Sequence, residues 1–223
     1  MIFVPRTFRM IRLGAVHMLL AAACCFTVFP FLWMAVSSLK TKAEVMAADA
    51  FLPSTPQYGN YLEIVFHSPI PRYLANSLLV AVSVAAIQVM CCSFFAYGVT
   101  FMRIRGRDML FRLVLFTYMV PTAVTYIPCY IILSRLGLLD SYQGLILSNG
   151  VSVLGIFLLR QAFEAVPMET MEAARMDGAG HFRILTGVVF PMTRPSFVTF
   201  ILLSFINTYN SYMWPVSYTH LRA

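Results

Sequence analysis

The chain predicts an all-α fold, a polytopic transmembrane helical bundle of about five spans. Three observations predict it. Hydrophobic residues make up 60% and charged residues 11%, against roughly 45–50% and 25% in soluble domains, and the mean hydropathy is +0.77. The apolar residues also come in long runs, several of which reach the roughly 20 residues a spanning helix needs. The alternating segments of about ten residues that mark a β-barrel are missing.

The first run, Leu13 to Leu39, follows the basic start Arg6, Arg9 and Arg12. It is longer than the roughly 7–15 residues of a signal-peptide core, and at "LAAAC" Ala21 stands where a lipoprotein box wants a larger aliphatic. An uncleaved first span is expected. The polar segment Lys40 to Arg72 holds Pro53, Pro56, Pro69 and Pro71, too much for a simple turn, and is expected on the membrane surface. The second span is read at 74–101, and the third at 110–133, where Pro121 and Pro128 predict a kink. The fourth is read at 142–163 and the fifth at 188–213, with a charged loop, 164–187, between them.

Charge placement excludes several functions. The 16 Lys and Arg residues sit mostly in short connections, as orientation signals do, so the net charge of +7 does not point to nucleic acid. Arg6, Arg9, Arg12, Arg103, Arg105, Arg107, Arg112, Arg160, Arg175, Arg183 and Arg194 fall on one side. Lys40, Lys42, Arg72, Arg135 and Arg222 fall on the other. The N-terminus and the 164–187 loop are therefore expected in the cytoplasm. Cys24, Cys25, Cys91, Cys92 and Cys129 lie in apolar runs without CxxC spacing, so neither a disulfide framework nor a zinc site is expected. His17, His67, His181 and His220 are scattered, no nucleophile–base pairing emerges, and the chain is not expected to be an enzyme. No acidic residue falls inside a span, which argues against a proton- or sodium-coupled carrier.

The stretch "MEAARMDGAG", residues 171–180, is the charged exception among greasy neighbours. Pro167 suits a helix start. Glu169 and Glu172 then sit early and Arg175 late, as the helix dipole favours. Gly178 can take the left-handed conformation that ends a helix, and Asp177 can cap the following helix. The expectation is helix, sharp turn, helix.

"EAARMDGAGHFRILTGVVFPMTRP", from Glu172 to Pro195, resembles the EAA loop of importer-type ABC transporter permeases. The pattern residues are Glu172, Ala173, Ala174, Gly178 and Pro191. The similarity extends to "FLPSTPQYGNYLEIV", "RYLANSLLVA", "FAYGVTFMRIRGRD", "YMVPTAVTYIPCYIILSRLGLLDS" and "FLLRQAFEAVPMETMEAARMDGA", and looks like the carbohydrate-uptake, maltose and multiple-sugar branch. The resemblance implies a bacterial inner-membrane subunit that pairs with a second permease, two cytoplasmic ATPase subunits and an extracytoplasmic solute-binding protein. It implies a coupling helix that contacts the ATPase, for which Glu172, Ala173, Ala174, Asp177 and Gly178 are the candidates. It also implies six spans, so the tail 216–223 is expected to be foreign to the family, through truncation or a cloning scar. Tyr209 departs from a more usual Trp.

The chain has no G-x-x-x-x-G-K-[ST] loop, so no cofactor is expected here and ATP belongs to the partner subunits. A sugar path needs neutral donors and acceptors at depth. Asn149, Ser152, Asn207 and Asn210 are the candidates, against the alternative that they bond between helices. The rival function is an ATP-independent facilitator or channel, which would pass solute without a motor.

Overall fold

The computed structural model describes residues 6–47 and 50–211, all of whose regular elements are helical. It divides into two compact units, one ending at Arg72 and the other starting at Tyr73. The tail 216–223 and the end of the expected fifth span lie outside the described residues.

The first unit holds α1 (Arg6–Ser37), α2 (Lys42–Ala47) and α3 (Gly59–His67). Residues Arg12–Ser37 of α1 are long and apolar enough to cross a membrane. Side chains such as Leu19 and Phe26 project outward along it, a surface suited to lipid or a partner helix. The polar segment after α1 is ordered by hydrogen bonds. Lys40 is buried, donates from Nζ to the Ala50 carbonyl at 2.6 Å, and lies 4.7 Å from the Trp33 ring centre. The Glu44 carboxylate accepts from the Ser54 hydroxyl at 2.5 Å and from the Thr41 and Ser54 amides at 2.9 and 3.0 Å. These bonds, led by the Ser54 hydroxyl, hold the Glu44 pKa down at about 2.

The second unit is built on α4 (Ile70–Phe101), the other helix long and apolar enough to span. Ala81, Val84, Ala85, Gln88, Cys92, Ser93 and Ala96 are its buried stripe. Their i, i+3, i+4 spacing puts them on one face, and the small ones among them, Ala81, Ala85, Ser93 and Ala96, let neighbouring backbones approach. Three bent helix pairs follow, and the chain has up to five spans if each pair is one crossing. The first pair, α5 (Arg107–Thr117) and α6 (Thr122–Arg135), turns through 99°. The expected kink is therefore present, at Pro121 where α6 starts, whereas Pro128 sits inside α6. The pair α7 (Tyr142–Ser148) and α8 (Val153–Glu164) is bent by 48° across Asn149–Ser152, a break the sequence did not announce.

After α9 (Met168–Met176) the chain runs through α10 (His181–Ile184), a π-helical turn at Leu185–Val189 and α11 (Phe190–Met192). It then bends by 89° into α12 (Arg194–Tyr209). Pro191 and Pro195 lack amide protons, and the wide turn takes up the lost regularity, with the Phe190 amide reaching back to the Leu185 carbonyl. Residues 188–193, read above as the start of the fifth span, thus belong to the element before the bend.

The core of this unit lies at the α9 end. Phe101, Phe163 and Phe197 form a ring ladder with centroid spacings of 6.1 and 5.9 Å, and Phe190 adds to Phe197 at 4.6 Å. Farther along, α8 and α12 meet so closely that a Cβ on Gly155 would fall 2.1 Å from the Phe200 ring.

Candidate functional site

Two arrangements stand out in the second unit, one at the α9 end of α4 and one about halfway along it.

At the first, α9 begins after Pro167 and is pinned by Met171, which is wholly buried in the aromatic core. Its last turn closes as the glycine expectation required. Gly178 has φ +76°, its amide bonds the Arg175 carbonyl at 3.0 Å, and the Ala179 amide bonds the Ala174 carbonyl at 3.0 Å. This paired closure needs a left-handed residue, where a Cβ is strained. Asp177 does not cap the next helix. It closes α9 with φ −73° and ψ 5°, and α10 starts after Gly180 without a side-chain cap. The physical reason is distance along the chain, since three residues separate Asp177 from the α10 start.

Of the candidate contact residues, Glu172, Ala173, Asp177 and Gly178 are exposed together. Ala174 turns inward and packs on the core. Further contacts that sequence reasoning missed tie this elbow to its neighbours. The Arg175 guanidinium donates to the Phe101 carbonyl at 3.4 Å, at the end of α4. The Tyr97 hydroxyl and His181 Nδ1 share a hydrogen bond of 3.1 Å. Arg160 on α8 pairs with Glu164 at 2.9 Å and with Asp108 at 3.2 Å, and lies 3.8 Å over the Phe111 ring. None of these pairings is local enough to read from spacing, except Arg160–Glu164 at i, i+4.

Gln88 lies 13 positions before Phe101 on α4, roughly 20 Å away at 1.5 Å per residue. Its buried amide donates to the Asn149 carbonyl at 2.6 Å and accepts from the Ser204 hydroxyl at 2.8 Å. Cys92 Sγ lies 3.4 Å from the Ser152 carbonyl. The break between α7 and α8 frees backbone carbonyls, and α4 supplies the donors that satisfy them, as irregular backbone away from water requires. Beside this knot is a cavity of about 370 Å³ lined by Gln88, Asn149, Ser152, Ser204, Asn207 and Thr208 among others.

Three of the four path candidates therefore come together here. Asn149 spends its side-chain amide on the Leu145 carbonyl at 2.9 Å, and the Ser152 hydroxyl accepts from the Gly155 amide at 3.1 Å as the cap of α8. Asn207 is exposed to the cavity. Asn210 closes α12 and does not line this cavity.

Residues 88–219, more than half of the chain, match the family described as binding-protein-dependent transport system inner membrane component. The chain belongs to that family. Among relatives, the sn-glycerol-3-phosphate transport system permease protein UgpE of Brucella abortus (strain 2308) is 29% identical over 212 residues, covering 92% of this chain and 75% of the relative. UgpE of Rhizobium meliloti (strain 1021) is 30% identical with the same coverage. A bacterial ABC transporter involved in the import of the acidic polysaccharide alginate superimposes with a TM-score of 0.88 at 26% identity, over 98% of this chain and 78% of that one. The chain is accordingly a multi-pass membrane permease of an ABC importer, a family that works with an ATPase and a binding protein, and the facilitator reading falls away.

Proposed function

We propose that this permease forms one half of the path for a carbohydrate or related polyol, beside a second permease, and that α9 is the point where ATPase motion enters. Two ATPase subunits and an extracytoplasmic binding protein complete the assembly. The arrangement of α9 carries this reading: a buried Met171 fixes the helix, while Glu172, Ala173, Asp177 and Gly178 face outward on a short rigid surface. Exposed carboxylates suit basic groups on a partner, and Ala and Gly allow close approach. Ala174 supports the surface from beneath. The five crossings are assigned to α1, α4 and the three bent pairs, with the N-terminus and α9 in the cytoplasm on the strength of the Arg distribution.

The solute class is supported by the neutral amide and hydroxyl groups around the mid-membrane cavity. Relatives named for glycerol 3-phosphate and alginate also handle hydroxyl-rich solutes. Reconstitution with its partners tests the reading. ATP-dependent uptake of a saccharide, lost when ATP is withheld, is expected. Equal uptake with and without ATP contradicts it.

A further inference from the structure

A second cavity, of about 490 Å³, lies at the end of α4 away from α9. Tyr73 on its wall is 15 positions before Gln88, so it sits roughly 22 Å beyond the mid-membrane knot. Thr208 and Ser211 line both cavities, which makes them neighbours in one column. Helical spacing explains the column. Tyr73, Asn76, Ser77 and Val80 repeat at i, i+3, i+4 and i+7 on α4, and Ser204, Asn207, Thr208 and Ser211 do the same on α12 and the residues after it.

Several hydroxyls of the chain, Ser141 on this wall among them, are satisfied within their own segment. Thr27, Ser93, Thr100, Thr186 and Thr199 each return their hydroxyl to a carbonyl one helical turn back. Among the described residues, Ser77 and Thr208 have no such bond, and the half-buried Asn76 amide has no hydrogen-bond partner. A half-buried amide facing an open cavity retains unmet bonding capacity. Tyr73, Tyr142 and Tyr209 also line this wall, and Tyr209 is held by stacking on Phe205 at 5.6 Å. Asp140 contributes a carboxylate. Flat aromatic faces beside amide and hydroxyl groups match the C–H faces and hydroxyls of a saccharide, and a carboxylate in the wall repels an anion.

We propose that this cavity is a second binding station, taking neutral saccharides before they reach the Gln88 level and disfavouring anionic polyols. The proposal rests on the transport reading above and specifies the solute class and where it first meets this subunit.

The test uses the complete transporter in proteoliposomes, with Ser77→Cys labelled by a membrane-impermeant maleimide and followed at that peptide by mass spectrometry. Glucose, maltose, raffinose and sn-glycerol 3-phosphate are the probes. At least one neutral sugar, at about ten times its Kd, should slow labelling about tenfold, and glycerol 3-phosphate should change it less than about twofold. Tyr142→Ala should abolish the protection and Tyr142→Phe should keep it. Labelling unaffected by every neutral sugar overturns the station, as does equal protection by glycerol 3-phosphate, as does full protection in Tyr142→Ala. Uptake in the same vesicles separates the two readings. ATP-driven sugar uptake without protection removes the station alone, whereas protection without uptake removes the transport reading.

Discussion

The α9 end and the polar column that runs from Gln88 to Tyr73 are built on opposite plans, although both use the same long helix. At α9 the contacts are dense and directional. A buried Met171, an aromatic ladder, a left-handed Gly178 and the Arg175 link to the end of α4 leave little freedom. Along the column, Asn76, Ser77, Asn207 and Thr208 lack side-chain hydrogen-bond partners among the described residues, and the tyrosine rings are accessible. The difference suits the two proposed tasks. A surface that receives force loses work to any slack, whereas a path must bind weakly enough to release. Gln88 stands at the junction, where it ties the broken α7–α8 backbone to α4 and α12.

Breaking the stiff end should have the largest effect. Gly178→Asp or Gly178→Val forces a side chain into φ +76°, at a cost of about 1–2 kcal/mol or more, directly in the proposed contact. Uptake is expected to fall about a hundredfold, as expected for a step gated by correct positioning, while membrane insertion, followed by protease protection, is retained.

The α8–α12 contact is the next test. Gly155→Leu places side-chain atoms where the Phe200 ring lies, and overpacking of this kind costs about 1–3 kcal/mol. A lower Tm of the detergent-solubilised transporter is expected, with partial recovery on adding Phe200→Ala.

Gln88→Leu sharpens the comparison at the junction. It strands the Asn149 carbonyl and the Ser204 hydroxyl, an effect of about 1–3 kcal/mol in soluble proteins and about 0.6 kcal/mol on average for bonds within membranes. Uptake should fall about three- to tenfold with ATP hydrolysis retained, so that transport and hydrolysis separate at this residue.

The smallest effect is expected at Glu44, which belongs to neither region. Its pKa of about 2 is lowered from the ordinary carboxylate value, so the stabilisation is complete above about pH 4.3 and is lost as pH falls towards 2. The protection factor of the Ser54 amide against hydrogen exchange should fall in that window, and Glu44→Gln should remove that fall while leaving uptake near normal.

What could be read from residues alone divides along the same line. α9 was legible because its signals are local: a proline start, acids early, a base late and a glycine stop within a dozen residues. The existence of the apolar crossings was legible from composition. The break at Asn149–Ser152 was not, because the donors that make it tolerable, Gln88 and Cys92, lie 61 and 60 residues away in sequence. The bend at Thr193 was equally hidden. Pro191 entered only as a pattern residue, and the 89° bend brings Phe197 into the core with the exposed Phe190 ring against it at 4.6 Å, contacts that no local spacing displays. Ala174 was read as a contact residue, and only the fold shows that it packs inward, one position from the exposed Ala173.

The central claim is that the exposed side of α9 receives ATPase motion. A single cysteine at Ala173→Cys, in the assembled transporter with short bifunctional thiol reagents, tests it most directly. Cross-linking to the ATPase is expected, together with loss of uptake once linked and recovery on cleaving the linker. An unlinked Ala173→Cys subunit within a transporter that still imports solute with ATP, at every linker length tried, would contradict the account.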